Sequence, residues 1–451
     1  MEKSRHKLST THIILFSFLA VILIGAFLLC LPISSATGEP TPFVDALFTA
    51  ATSTCVTGLV VVPTVSYWSI FGQIVILFLI QIGGLGVITV MAGIVLSLHR
   101  RIGLSDSILL QDSFNLNTLS KISTFVKKVI IGTFIIEGIG ALLYMFVFVP
   151  KFGTGGIWVS IFMSVSAFCN AGMDIVAQDS LCGYANNTIV NIITCGLVIL
   201  GGLGYIVWWD VIRVLKQGRV KKGVWKFLTL HSKIAIFSTL VLILSGAALF
   251  FVFEYNNPLT FGNMPLLNKI QSSLFQSVTT RTAGFATIAQ ENLSNPSALV
   301  SMVLMFIGGS PVGTAGGIKT VTVAVLVATA IATVKNRNEV SLFGRAISKD
   351  AIKKAVGVLF FSFSIMIMST VLLSWITDAS VLDILYETTS AVATVGLTRN
   401  LTASLDTIGK LIITATMYLG RVGPISFAIA FSLKRENNNI IKNPTEEVRI
   451  G

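Results

Sequence analysis

Four short polar stretches of this 451-residue chain each end in glycine: Ser53-Thr54-Cys55-Val56-Thr57-Gly58, Ala167-Phe168-Cys169-Asn170-Ala171-Gly172, Thr279-Thr280-Arg281-Thr282-Ala283-Gly284 and Ala391-Val392-Ala393-Thr394-Val395-Gly396. Their closing glycines stand 114, 112 and 112 residues apart, so the chain reads as four units of one period. The stretches lie between apolar runs. Backbone that is neither helix nor barrel cannot face lipid, because its N–H and C=O groups would go unpaired; it must be buried in protein or line a water-filled path. Four quasi-equivalent loops imply a ring about one axis, in which carbonyl oxygens replace the hydration shell of a cation, the coordination used by potassium filters. The candidate ligands are the backbones of Cys55, Val56, Thr57, Gly58, Asn170, Ala171, Gly172, Thr282, Ala283, Gly284, Thr394, Val395 and Gly396. Glycine suits a loop whose carbonyls must turn inward, where a Cβ would obstruct. No acidic ring occurs in the loops, which argues against a carboxylate filter for divalent cations and against an anion pore.

Elements must hold these loops in place. In every unit an apolar helix leads to a segment too short to cross a bilayer, then the polar loop, then a second apolar helix. The units fall at 1–99, 100–216, 217–337 and 338–434, with a tail at 435–451. They predict an all-α polytopic membrane protein: eight spanning helices and four re-entrant half-helices, arranged pseudo-fourfold around one pore. The half-helices would point their partly negative C-terminal ends at the axis and favour a cation. Composition agrees, with 53% hydrophobic and only 12% charged residues and a mean hydropathy of +0.84, where soluble domains carry about 25% charge. The run His12–Leu31 is near the roughly 20 residues of a membrane helix and longer than the core of a signal peptide. Of 32 Lys and Arg, 25 lie at the N-terminus, 100–128, 213–233, 335–354 and 434–449. The positive-inside rule puts all five places, and both termini, in the cytoplasm of a multi-pass cell-membrane protein. Scattered over such loops, this charge suits anionic lipid and not nucleic acid. Trp68, Trp158, Trp208, Trp209 and Trp375 are expected at helix ends in an interfacial belt. Five cysteines without a CxxC pair give neither a zinc site nor a redox motif and read as packing residues.

The second helices carry another echo, at Gly83-Gly84-Leu85-Gly86, Gly201-Gly202-Leu203-Gly204, Gly308-Gly309-Ser310-Pro311 and Gly420-Arg421-Val422-Gly423. In units one and two these glycines read as close helix packing. Unit three departs: Gly308, Gly309, Ser310, Pro311, Gly313, Thr314, Gly316 and Gly317 crowd one segment, where each interior glycine costs about 1 kcal/mol and a proline about 3 kcal/mol. The helix should break there, below the filter, and obstruct the path as a gate. Arg421 replaces the second glycine of the echo. A charge at membrane depth costs at least about 2.5 kcal/mol and is functional by default. We expect it to hydrogen-bond carbonyls of the 308–317 loop and add a positive barrier. Arg281, beside the filter, is expected against a carboxylate such as Glu387, and Glu137 and Asp210 near helix ends.

Across nearly its whole length the chain resembles the Trk/Ktr/HKT superfamily of potassium uptake proteins, most closely the KtrB-type membrane subunit. The single-glycine loops, Thr280-Arg281-Thr282-Ala283-Gly284-Phe285 and the Gly-Ser-Pro…Gly-Gly segment carry the resemblance. It implies potassium as the transported ion at the filter, sodium as a candidate activator or coupling ion, the broken segment as an intramembrane gate contacted by the matching arginine, a homodimer, and a cytosolic ring of nucleotide-binding RCK/KTN (KtrA-type) subunits that answers to ATP or ADP. Glycine at 58 resembles the potassium-selective pattern, since serine in the first loop goes with sodium in HKT-type members. The chain itself has no P-loop or GxGxxG motif and calls for no bound cofactor. One rival reading is a secondary transporter of a small solute coupled to sodium or protons through broken helices, but that architecture usually shows two inverted halves. A membrane enzyme would need clustered His, Asp, Glu or Cys inside the helices, which four scattered histidines do not supply.

Overall fold

A computed structural model describes residues 10–97, 122–218 and 223–423. The expectations for the N-terminal charges, most of the 100–128 segment and everything after Gly423 concern residues outside those described. The long helices are α1 (Thr10–Cys30), α5 (Ile122–Phe152), α9 (Leu230–Glu254) and α13 (Lys349–Ile376). Each is long and apolar enough to cross a membrane and buries only a third or less of its most apolar stretch in the protein. Phe27, Phe146, Val252 and Phe360 are among the side chains left exposed, as lipid-facing helices require.

The short helices α2 (Phe43–Thr54), α6 (Gly155–Cys169), α10 (Leu266–Thr279) and α14 (Val381–Ala393) precede the polar loops. Their last turns are buried although polar: Thr52, Ser53 and Thr54, Ser164 and Ser166, Ser277, and Thr389 and Ser390. Prolines 42 and 265 and Ser380 mark the starts of three of them, where a missing N–H costs nothing or a hydroxyl satisfies one.

The second helices are interrupted. In unit one, α3 (Ile70–Leu85) and α4 (Val87–Ser97) join at Gly86; in unit two, α7 (Thr188–Leu203) and α8 (Tyr205–Lys216) join at Gly204 with a 94° bend. In unit three, α11 (Asn295–Phe306) and α12 (Thr320–Val334) flank a non-helical segment, and in unit four α15 (Thr407–Val422) stops at Gly423. Side chains of Ser69, Asn187 and Asp406 cap three of these helices. Gly86, Gly204 and Gly423 have φ of +85°, +91° and +98°. The last glycine of the echo therefore ends a helix, a backbone role beyond the close packing expected in units one and two. Among the described residues four helices, plus the bent pair α7–α8, have the length and composition to cross a membrane.

Packing runs around a circle. Each second helix contacts the short helix of the next unit: α3 with α6, α7 with α10, α11 with α14, and α15 back with α2. Lys410 Nζ meets Asp45 Oδ1 at 2.6 Å across that last seam. Of the tryptophans expected in a belt, Trp68 is buried, where Gln73 binds its carbonyl, while Trp375 is 85% exposed.

Candidate functional site

The four loops meet at the centre of this circle with one backbone pattern. The residue two before each glycine is left-handed, with φ of 56° at Val56, 59° at Asn170, 63° at Thr282 and 49° at Thr394, and the glycines follow at +97°, +64°, +81° and +98°. A left-handed conformation in β-branched valine and threonine is costly, and such strain persists only where surroundings over-determine it. Much of that determination comes from the short helices. The N–H groups of Thr57, Ala171 and Val395 bond back to the carbonyls of Thr52, Ser166 and Ser390, and in unit three Ala283 and Gly284 both turn to Thr279. Side-chain hydroxyls of Thr52 and Ser390 take the N–H of Gly58 and Gly396.

The glycines themselves close a ring. A Cβ on Gly58 would point at the Ala171 carbonyl, one on Gly172 at Ala283, one on Gly284 at Val395, and one on Gly396 at Thr57. The α-carbons of Gly172 and Gly284 lie next to each other, as do those of Gly396 and Gly58. With the N–H groups turned outward, the carbonyls of Thr57, Ala171, Ala283 and Val395 receive no hydrogen bond among the described residues. The hydroxyls of Thr54, Thr57 and Thr394 and the amide of Asn170 are likewise buried without a protein partner. Unpaired buried polar groups are costly, and four carbonyl acceptors around one ring have the chemistry of a cation's coordination shell. Among the described residues no three His, Cys, Asp or Glu gather as a metal site.

Against the ring lies the non-helical segment of unit three. Its neck is a short parallel bridge between Ile307 and Ile318, reinforced by Thr320 N–H to the Gly309 carbonyl. Ser310 and Thr314 donate backbone N–H groups to the Gly202 and Gly201 carbonyls, and Tyr205 N–H reaches the Val312 carbonyl. The echo glycines of unit two thus leave carbonyls open to this segment. Thr314 Oγ1 donates at 3.0 Å to the Phe168 carbonyl and contacts Asn170 Oδ1 at 3.0 Å. Arg421, half-buried, donates to the Thr314 carbonyl at 2.7 Å and to the Gly83 carbonyl at 2.6 Å. Lys319 turns back onto the Ala315 carbonyl. All eight gate candidates of unit three and Arg421 are therefore brought together beside the ring.

A family model described as a TrkH cation transport protein matches residues 4–443. The chain belongs to the TrkH family of cation transport proteins. It is 37% identical to the potassium/sodium uptake protein NtpJ of Enterococcus hirae, over 100% of this chain and 99% of that protein. The Ktr system potassium uptake protein B of Bacillus subtilis is 38% identical over 97% of this chain and 96% of its own, and that of Vibrio alginolyticus 35% over 100% and 97%. The crystal structure of the potassium transporter TrkH from Vibrio parahaemolyticus has the same fold, with a TM-score of 0.75 at 15% identity, over 96% of this chain and 86% of that one.

Within this TrkH-family fold two sequence expectations fail. Arg281 does not meet Glu387. It is buried at 7% exposure and donates to the carbonyls of Thr239 and Gly308, while Glu387 accepts from Thr398 and Thr402. Glu137 is not near a helix end but in the middle of α5, 4% exposed, taking the Gln81 amide at 3.2 Å and lying 3.7 Å from the Cys169 sulfur behind the second loop. Asp210 is the sixth of the twelve residues of α8, against Arg213 and Thr229.

Sequence reasoning also missed Arg399. It pairs with Asp383 at 2.6 Å and donates to the Gln290 carbonyl, bracing units three and four above the ring. Its place three residues after the fourth glycine was the available signal. Burial alone would raise the Asp383 carboxyl, but hydrogen bonds from Arg399 and Ser380 and the arginine's charge hold it below the usual carboxylate range. A depressed carboxylate stabilises the fold at neutral pH and loses that contribution as pH falls through its folded pKa. Arg399→Gln should therefore narrow the gap in melting temperature between about pH 7 and about pH 3 by about 1 °C, the upper scale of a partly exposed pair in a chain of this length, read by thermal unfolding in detergent. An unchanged gap would remove Arg399 as the cause.

Proposed function

We propose that this chain takes up potassium across the cell membrane through a filter formed by the carbonyls of residues 55–58, 170–172, 282–284 and 394–396, with 308–317 and Arg421 as an intramembrane gate. One observation carries the reading: four left-handed loops turn unpaired carbonyls toward a single ring of glycines. Carbonyl dipoles can replace a monovalent ion's hydration shell without a net charge of their own. Uncharged ligands suit an ion that must leave as readily as it enters. The cyclic packing of the four units supports a pseudo-fourfold arrangement in which the two halves of each broken second helix count as one crossing. Eight crossings then put both termini in the cytoplasm, in keeping with the positive-inside distribution.

Names of relatives join potassium uptake to this fold, and one name adds sodium. A Ktr-type assembly would add a second copy of this chain and a cytosolic RCK/KTN ring binding ATP or ADP, docked on basic inner loops that also suit anionic lipid. Sodium then acts as activator or coupling ion.

Flux into proteoliposomes of the purified chain tests the reading. Potassium and rubidium should enter and should exceed sodium by about tenfold or more, the margin of roughly 1.4 kcal/mol that a carbonyl ring must supply. Equal entry of sodium and potassium would overturn the filter assignment, and uptake of another small solute driven by a sodium or proton gradient, without potassium flux, would favour a coupled secondary transporter.

A further inference from the structure

Arg281 and Thr282 stand apart from their counterparts. At the position three before the ring glycine the other units carry Cys55, Cys169 and Ala393, none with a long charged donor. Arg281 leaves its own loop and donates through Nη2 to the Gly308 carbonyl at 3.2 Å, with Nη1 3.4 Å from the Thr239 carbonyl of α9. Its Nε has no partner, and the residue lines a small cavity with Val198, Ile243, Val278 and Gly309. The next residue, left-handed Thr282, accepts the Gly316 N–H on its hydroxyl at 3.2 Å. Consecutive side chains of one ring loop thus hold the two ends of the 308–317 segment.

We propose that this pair couples the ring to the gate, so that an ion held by the third loop fixes the position of segment 308–317. The coupling rests on the filter reading given above. Thr282 lies between the ring carbonyl of Ala283 and the Arg281 side chain. An ion drawing that carbonyl inward holds the left-handed turn at Thr282, and the turn aims the hydroxyl at Gly316. When the site empties, relaxation of the turn withdraws the acceptor, and a buried N–H left unpaired is costly enough to move with it. Gly308 follows through Arg281, whose shorter hydrogen bond is to its carbonyl, at 3.2 Å against 3.4 Å for Thr239. The two residues are positioning residues; neither side chain needs to touch the ion.

Hydrogen exchange on the full chain in lipid nanodiscs, in potassium chloride and in choline chloride, tests the coupling. In the wild type, peptides covering 308–319 should exchange about tenfold more slowly in potassium, as expected for one buried hydrogen bond made or lost. Thr282→Val keeps shape and removes the acceptor; Arg281→Lys keeps charge and loses the planar fork. Both should bring the potassium effect to within about twofold, and Thr282→Ser should restore it. A merely structural role would raise exchange equally in both salts and leave their ratio unchanged, and that result overturns the proposal. So does a wild-type segment 308–319 that ignores potassium while the ring loops respond to it. Failure of the filter reading looks different: the ring loops themselves would then exchange alike in both salts.

Discussion

Gly58→Ser is expected to lower the potassium-over-sodium uptake ratio about tenfold while the protein still reaches the membrane. Gly58 has φ of +97°, a region that L-residues enter at a cost of about 1–2 kcal/mol. A Cβ there would stand 2.5 Å from the Ala171 carbonyl oxygen and 3.1 Å from the Gly172 α-carbon. Both atoms belong to the next quarter of the ring, so the substitution displaces the Ala171 carbonyl and the glycine that follows it. About 1.4 kcal/mol lost from the preferred ion and not from its competitor is a tenfold loss of discrimination. Gly38→Ser is the matching control. Its φ is +75°, yet a Cβ there meets nothing within 4 Å, so it carries the backbone strain without touching the ring and should leave the ratio alone. Competitive uptake of labelled rubidium against sodium in a strain lacking its own potassium uptake measures both. A Gly58→Ser chain that keeps the wild-type ratio would remove the first loop from the filter.

Much of this arrangement can be read from the sequence because backbone needs leave local marks. Each ring loop requires a positive φ at a fixed place, glycine meets that need at the least cost, and the requirement recurs at one period. The helical character and the apolar helices follow from composition in the same way. Partner choice leaves no such mark. Arg281 was expected against Glu387 because an acid is the usual partner of a buried arginine. Glu387 is satisfied by the hydroxyls of Thr398 and Thr402, and Arg281 finds the Thr239 carbonyl of α9 and the Gly308 carbonyl, which lies open because α11 stops at Phe306. An open helix end is an acceptor that a residue inventory does not show. The echo glycines are a similar case. In units one, two and four the first of them leaves no room for a Cβ beside the carbonyls of Thr54, Phe168 and Val392, all four residues before the ring glycine. Read as sequence, they give small residues for close packing; only the fold shows that what packs is the end of the short helix holding the loop. Glu137 was misplaced because α5 runs 31 residues, and an acid near its middle cannot be told by composition from one near its end.

In the function proposed above, the ring glycines would set which ion passes and the contacts of Arg421 whether it does. The guanidinium spans two carbonyls on different units, Thr314 in the non-helical segment and Gly83 at the broken second helix of unit one. Charge-assisted hydrogen bonds of this kind are worth about 1.5–3 kcal/mol each when buried. In Arg421→Ala the Thr314 carbonyl loses its donor while the Thr314 hydroxyl still ties the segment to the second ring loop. The segment is loosened on one side only, and the positive charge leaves the path. Potassium flux into proteoliposomes without any soluble partner should then rise about tenfold, the change expected for roughly 1.4 kcal/mol withdrawn from the closed state. Arg421→Lys keeps the charge but places it at one point, which cannot reach both carbonyls. Its flux should fall between wild type and alanine, which separates the bridge from the charge. Arg421→Ala protein that is folded, inserted in wild-type amount and no more conductive than the wild type would show that the arginine fastens the helices together and does not hold the gate shut.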